Sequence, residues 1–355
     1  MRNESWREDA VFEVNTDYIV DILVNLARIP SPSGQTDRAI DFVAAEFGKL
    51  GVATAKTRKG ALLASVTGVD PSRQRALSGH VDTLGAMVKE IKTNGRLKFA
   101  QLGGYTMQSV EGEYCTVETS EGRPYTGTVL SVKTSVHVYR DLDKFERNLD
   151  NMEIRLDERV ACIKDVEALG IEVGDYIHFD PRTQVTSSGF VKSRHLDDKA
   201  GVAVILGAAR YFAERGAPAT TTHYYISNYE EVGHGAACGI PPETEELLAV
   251  DMGAIGEGQS TDEFTVSICA KDSSGPYDTS LRRRLVSIAR AAGIGHRVDV
   301  YPYYRSDASA ALKAGADLRA CVVGPGVDAS HAAERTHRSA LENTCRLVAA
   351  YLSEA

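Results

Sequence analysis

Acids and histidines gather at five places along this 355-residue chain, each beside a strand-like run or a glycine turn. "SGHVDTLG" carries His80 and Asp82, "SRHLDDKAG" carries Asp197 and Asp198, and "SNYEEVGHGA" carries Glu230 and Glu231. "ELLAVDMG" places Asp251 directly after an apolar run, and "DASHAAERTH" offers His331 and His337. Imidazole with carboxylate is a ligand set for zinc and related divalent metals. Two histidines and three carboxylates exceed what one tetrahedral zinc with an open position needs. They fit two metals that share a bridging carboxylate, with ions roughly 3.5–4 Å apart. The adjacent pair Glu230–Glu231 then divides its work. One Glu binds metal, and the other stays free as general base for an attacking water.

Each residue alone has a plainer reading. His80 could be an ordinary histidine, Asp251 a helix N-cap, and Asp198 a cap or a partner of Lys199. Glu230–Glu231 could be a solvated charge pair. His223, His234, His296 and His337 read as structural or surface residues. The conjunction of all five clusters is what points to a metal site.

The elements that must position them alternate. "DYIVDILVNLAR" has helical spacing and stops at the loop "IPSPSG". Ile40, Val43, Phe47 and Leu50 mark one face of a second helix, with Gly51 as its C-terminal glycine. "ALLASVTG", "RALSGHVD", "THYYIS", "ELLAVDMG" and "LRACVVG" read as strands. "DKAGVAVILGAARYFAERG" is a helix rich in small residues, suited to packing close to a sheet, and "SALENTCRLVAAYLSEA" is a closing helix. Strands alternating with helices predict a mixed, mainly parallel α/β sheet between helices. In such sheets, sites collect at the carboxyl ends of the strands. From about 90 to 185, short runs such as "EYCTVETS", "TGTVLSV", "MEIRL" and "DYIHFDP" predict a β-rich insert, with "DVEALG" as a short helix. The expected organisation is a catalytic α/β domain in two parts, residues 1–88 and 187–355, around an inserted domain at 89–186.

A net charge of −9 argues against a nucleic-acid partner. No stretch reaches the roughly 18 apolar residues of a membrane helix. "MRNESWREDAVFEVN" lacks the apolar core of a signal peptide, so a cytoplasmic location is expected. The six cysteines contain no CxxC pair and read as buried reduced thiols, with Cys162, Cys238, Cys321 and Cys345 in apolar or small-residue company.

With these residues in hand, the chain resembles the dinuclear metallo-aminopeptidases of the glutamyl and deblocking type, some once labelled endoglucanases. "HVDTLG", an inserted domain, "LDDKAG", "EEVG", "VDMG" and His331 with Glu334 follow in that family's order. The resemblance implies a zinc-exopeptidase-like fold with a small β-barrel insert that serves oligomer contacts. It implies that His80 and Asp251 bind one metal, that Glu231 and His331 bind the other, and that Asp197 bridges both. Asp82 would orient the His80 imidazole, and Glu230 would be the general base. Two divalent ions per chain are implied, zinc by default, with cobalt or manganese fitting the same ligands. Short peptides or small amides would be substrates, and homo-oligomers, with a dimer as building block and a dodecamer as one assembly, are implied. Lys199 stands where many relatives carry Arg. "SVHVYRDLDKFERNLDNMEIRLDE" makes the insert longer than is typical. These departures resemble a subgroup associated with the osmoprotectant N-acetylglutaminylglutamine amide.

Two-metal cleavage of N-terminal residues is therefore the leading expectation. A metal-dependent amidase or deacylase acting on a blocked dipeptide is the alternative. A glycosidase needs two carboxylates and no metal, so the histidines count against it. An intact Glu230 counts against a non-catalytic scaffold. "YPYYRSD", residues 301–307, is expected to line the substrate region, with Arg305 placed to meet a substrate carboxylate.

Overall fold

Four strands lie side by side and parallel at the middle of the molecule: Thr220–Ser227, Asp70–His80, Glu246–Val250 and Arg319–Val327. The computed structural model describes residues 12–355. The opening stretch read above as lacking a signal core falls largely outside them. All five residues of Glu246–Val250 are buried. Alternate side chains of a strand point to opposite faces, so both faces of this sheet are covered. Antiparallel strands extend the sheet on both sides: Leu62–Val66 and Thr54–Lys56 at one, Val266–Asp272 and Gly275–Pro276 at the other. His296–Val300 adds a parallel edge next to Val266–Asp272. This is the mixed, mainly parallel α/β architecture that the alternation predicts.

The helices form where the apolar spacing places them. Ile19, Ile22, Leu23 and Leu26 make the buried face of Thr16–Ala27, whose first turn is capped by the Asn15 side chain accepting from the Tyr18 N–H at 2.9 Å. Ile40, Val43 and Phe47 are buried on Asp37–Lys49, and Gly51 follows at φ +74. The long helix Leu196–Arg215 is buried along most of its length and packs between Thr16–Ala27 and the closing helix Arg338–Ser353. Its small residues have a purpose. A Cβ on Gly201 would overlap the Val250 carbonyl and the Asp198 carboxylate, so this helix approaches the sheet backbone as only glycine permits.

Between Gly85 and Phe179 the chain leaves the sheet and closes a six-stranded antiparallel barrel. Its strands are Gly85–Ile91, Leu97–Leu102, Met152–Leu156, Pro124–Ser131, Tyr114–Glu118 and Tyr176–Phe179, in that order round the barrel. Val88, Phe99, Val117, Val129, Ile154 and Ile177 fill it. Closure leaves no free edge. The first barrel strand starts only a few residues after His80, ahead of the position 89 expected for the insert. Beyond the barrel, Gln184–Val185, Phe190–Lys192 and Arg335–His337 form a small sheet that ties the barrel's exit to the segment after His331.

The cysteine reading needs one correction. All six thiols are free, but Cys162 is half-buried and Cys238 exposed, while Cys115 and Cys269 join Cys321 and Cys345 in the interior. Cys162 sits at the start of the short helix Ile163–Ala168 and Cys238 follows the short helical turn Gly235–Ala237, where small neighbours mark a turn rather than the core of a strand or helix. Among the described residues, no helix is long and apolar enough to cross a membrane.

The close approach at Gly201 can be measured. Gly201→Ala is expected to destabilise by about 1–3 kcal/mol or more, since backbone rather than a flexible side chain must yield. Gly207→Ala faces the Ile19 side chain at 2.7 Å and should cost less. Thermal unfolding of the two variants gives the ranking, and a Gly201→Ala protein as stable as wild type would contradict the packing described.

Candidate metal centre

The parallel strands deliver their chemistry to one edge. Ser227 is in register with His80, and the Asp251 N–H donates to the Val323 carbonyl at 2.9 Å. Their carboxyl ends are followed by Asp82, by Glu230 and Glu231, by Asp251 and by His331. Asp197 arrives from the start of helix Leu196–Arg215.

Asp197 stands between the two imidazoles. Its Oδ1 lies 3.2 Å from His80 Nε2 and its Oδ2 lies 3.1 Å from His331 Nε2. Glu230 Oε2 is 3.7 Å from the His80 ring and Glu231 Oε2 is 3.6 Å from the His331 ring. The neighbouring acids that look odd in the sequence therefore straddle Asp197, one toward each histidine. Their backbone is fixed by Asp82. Its buried carboxylate accepts from the Glu230 N–H at 3.0 Å, the Glu231 N–H at 3.2 Å and the Ser33 hydroxyl at 2.6 Å. Asp82 touches His80 mainly through its own backbone carbonyl, which lies 2.9 Å from Nδ1, while its Oδ1 lies at 3.4 Å. A proton on Nδ1 leaves Nε2 free as a lone-pair donor toward Asp197.

Glu334 is the second brace. Its two oxygens accept from the Asp197 N–H at 3.2 Å and the His331 N–H at 2.9 Å, so one buried carboxylate sets both backbones. His331 Nδ1 is held by the Gly104 carbonyl, which comes from the barrel. Asp307 accepts from the Ser227 hydroxyl at 2.7 Å and the Ala236 N–H at 2.8 Å, closing both ends of the turn that carries Glu230 and Glu231. Ser33 and Gly104 had no role in the sequence-based expectation, and Asp307, expected at the end of the substrate-lining segment 301–307, lies behind the wall of the cavity over this cluster rather than in it. Ser33 reads as loop, Gly104 acts through its backbone, and Asp307 looks like part of a helix start. The histidines read as structural behave so: His223 sits between Ser65 and Gln74, and the His337 side chain caps helix Arg338–Ser353.

Two triads bring one ligand atom per residue within 4.8 Å of each other: His80, Asp197 and Glu231, and His80, Asp198 and Asp251. Asp198 has its oxygens engaged, accepting from the His80 N–H at 3.2 Å and the Gly201 N–H at 3.1 Å. Asp251 Oδ1 and Glu231 Oε1, in contrast, are buried with no hydrogen-bond partner. The orphaned carboxylate oxygens stand beside two imidazoles that the surrounding acids hold protonated, His331 up to about 11, and a cation that displaces those protons would leave an all-acceptor donor set around it. The electrostatics agree. Burial, reinforced for Asp251 by the Asp197 charge, pushes Asp251 up to about 7. Burial pushes Glu231 up to about 8 against the pull of His331. Burial also drives Glu230 well above its ordinary value, with Asp251 and Glu231 adding to it. For Asp197, burial is outweighed by His331 and His80, which hold it low. A cavity of about 900 Å³ opens over Asp197, Glu230, Glu231, Asp251 and His331, and Tyr301–Arg305 form part of its wall as expected.

A model of the M42 glutamyl aminopeptidase family matches residues 60–347. The chain belongs to this family. It is thus an enzyme that hydrolyses peptide bonds. A Bacillus subtilis (strain 168) protein named "Putative aminopeptidase YhfE" is 54% identical over 334 residues, covering 94% of this chain and 96% of that protein. Among solved structures, an aminopeptidase from the archaeon Desulfurococcus kamchatkensis superposes with a TM-score of 0.85 at 22% identity over 96% of both chains. The TET1 peptidase of Pyrococcus horikoshii, described as assembling into a tetrahedron or a large octahedral shell, gives 0.83 at 22% identity over 95% of this chain and all of that one. At that identity these two show the fold, and the M42 fold is the one described above.

The acid cluster predicts how metal and pH combine. Folded Glu231 and Asp251 keep protons up to about 8 and about 7, whereas unfolded carboxyls release theirs near pH 4. The folded state binds more protons across that window, so these groups' contribution to stability is lost as pH rises from about 4 to 8. Asp197 and Asp82 are held low, so their contributions change only in acid. A cation displaces the protons and removes the loss. The gain in Tm on adding zinc to chelator-treated protein should be larger at pH 8 than at pH 6. Taking the difference cancels groups remote from the cluster. A gain that shrinks with pH would count against cation binding here.

Proposed function

We propose that this M42 enzyme is a two-metal aminopeptidase that removes the N-terminal residue from short peptides, with Glu230 as general base. The observation that carries the reading is Asp197, one carboxylate between His80 and His331, flanked by the orphaned oxygens of Asp251 and Glu231. His80 and Asp251 would hold one divalent ion, Glu231 and His331 the other, and Asp197 both. Zinc is the default, and cobalt or manganese suits the same donors. Such ions polarise a scissile carbonyl and acidify a water.

The chain's own residues do the remainder. Glu230 takes a proton from the attacking water as its oxygen bonds to the carbonyl carbon. When the C–N bond breaks, Glu230 gives that proton to the leaving amine. Asp82 and Asp307 keep its turn in place, and Glu334 keeps Asp197 and His331 in place, so the groups need not be gathered at each turnover. We also infer that the chain self-assembles, as its structural neighbour from Pyrococcus horikoshii does, and works in the cytoplasm, which suits six free thiols.

Metal analysis and kinetics on aminoacyl-anilides test this. Purified or reconstituted enzyme should hold about two metals per chain and cleave free N-termini. Glu230→Gln should retain the metals and lose roughly 10²- to 10⁴-fold in kcat. Asp197→Asn should lose both metal content and turnover. Near-normal kcat in Glu230→Gln would remove Glu230 as base. Cleavage restricted to acetylated dipeptide amides would move the enzyme to the amidase reading.

A further inference from the structure

Within the cavity over the metal centre, charge is divided by depth. Asp197 and Asp251 are buried, with Glu230 and Glu231 beside them at its floor. Arg305 is exposed and stands at its rim next to Tyr303, which is 98% exposed. Among the described residues, Arg305 is the one Arg or Lys lining this cavity, and no carboxylate lies within ion-pair distance of it. Apart from the acids, His331 and Arg305, the lining is uncharged and includes Met252, Ala254, Ile255, Tyr301 and Tyr304.

The segment that presents Arg305 is fixed to the sheet. The Tyr301 N–H donates to the Lys271 carbonyl at 2.9 Å, and the Tyr304 hydroxyl donates to the Met252 carbonyl at 2.9 Å. The Tyr304 carbonyl accepts from Ser273 N–H at 3.1 Å and Ser273 Oγ at 2.6 Å. The cation therefore stands on a rigid support, while its own side chain is left without an internal partner. A guanidinium presents a planar fork of donors that matches a carboxylate, and a site so arranged selects a ligand that carries one.

We propose that Arg305 is a specificity residue that binds the C-terminal carboxylate of a very short peptide. The inference rests on the reading of Glu230 as base. The bond to be cut lies at the floor, so a group at the rim meets the far end of the substrate. The otherwise uncharged lining leaves the side chain of the N-terminal residue without a charged partner. A dipeptide or tripeptide then spans from acids to arginine, and a longer chain carries its carboxylate past Arg305.

The test compares Leu-Gly with Leu-Gly amide, and Glu-Gly amide with Gln-Gly amide, on metal-loaded wild type, Arg305→Gln and Arg305→Lys. The wild type should favour the free carboxylate over the amide by roughly 10- to 100-fold in kcat/KM, the size expected of a charge-assisted hydrogen bond. Arg305→Gln should collapse that ratio toward one, and Arg305→Lys should keep part of it. A ratio that Arg305→Gln leaves intact overturns the proposal. So does an effect of Arg305→Gln confined to the Glu-against-Gln pair, which would make the N-terminal side chain the carboxylate that is read. Calorimetric binding of Leu-Gly and its amide to Glu230→Gln, with and without Arg305→Gln, reads the same ratio without turnover. If no peptide is cut, the aminopeptidase reading fails, and this binding ratio still decides for or against Arg305.

Discussion

Four carboxylates and two imidazoles are held within a few ångströms of one another and largely out of water, and that concentration of like charge is the constraint on which the rest of this structure depends. Asp197, Glu230, Glu231 and Asp251 cannot all ionise unaided in such a place. Without cations, the cluster resolves the conflict by keeping protons, which is why Glu231 and Asp251 stand near 8 and 7. With cations, the same oxygens become ligands. Either way the backbone must hold repelling groups in position. Three further buried acids do that work, and all three accept from main-chain N–H groups: Asp82 from Glu230 and Glu231, Asp307 from Ala236, Glu334 from Asp197 and His331. A carboxylate is suited to this because one side chain can fix two backbone positions at once.

The sheet supplies the second half of the answer. Parallel strands in register end together, so residues far apart in sequence are brought to one edge without any of them lying in a strand's hydrogen-bonded interior. His80 is the last residue of its strand, Glu230, Glu231, Asp251 and His331 follow the ends of theirs, and Asp197 comes from the start of helix Leu196–Arg215. The glycine at 201 lets helix Leu196–Arg215 press against the Val250 carbonyl, which brings Asp197 and Asp251 into the same cluster. Packing density in the core and the geometry of the cluster at the edge are thus one problem, since a helix set further out would carry Asp197 away from both imidazoles.

Much of this was legible in the sequence, and what was hidden has physical reasons. The helix faces marked by Ile40, Val43 and Phe47 and the strand ending at His80 follow from periodicity, because burial of one face leaves a repeat. The site candidates stood out by the conjunction of five acid and histidine clusters beside strand-like runs, and the structure brings His80, Asp197, Glu230, Glu231, Asp251 and His331 to one edge. Backbone donors and acceptors leave no such trace. Nothing in the letters marks the Gly104 carbonyl as the partner of His331, or the Asp82 carbonyl, rather than its carboxylate, as the nearer partner of His80 Nδ1. Cys162 and Cys238 failed for a related reason, since small neighbours belong equally to cores and to turns.

The barrel's place in the chain also follows from the site. It begins a few residues after His80, and its last strand, Tyr176–Phe179, leads through the small sheet to Asp197, so the insert lies in sequence between two residues of the cluster. The turn after barrel strand Leu97–Leu102 reaches into the centre: Gly103, at φ +75, comes so close to Leu84 that an added Cβ would meet its side chain at 2.5 Å and stand 3.5 Å from the Glu231 Cβ. Gly104 then offers its carbonyl to His331 Nδ1, which leaves Nε2 to face Asp197. The barrel is therefore part of the shell that fixes the tautomer of His331. Movement of the barrel relative to the sheet would be felt first at His331, the imidazole that stands more open to solvent than His80. The two parts of the molecule are joined where the chemistry is.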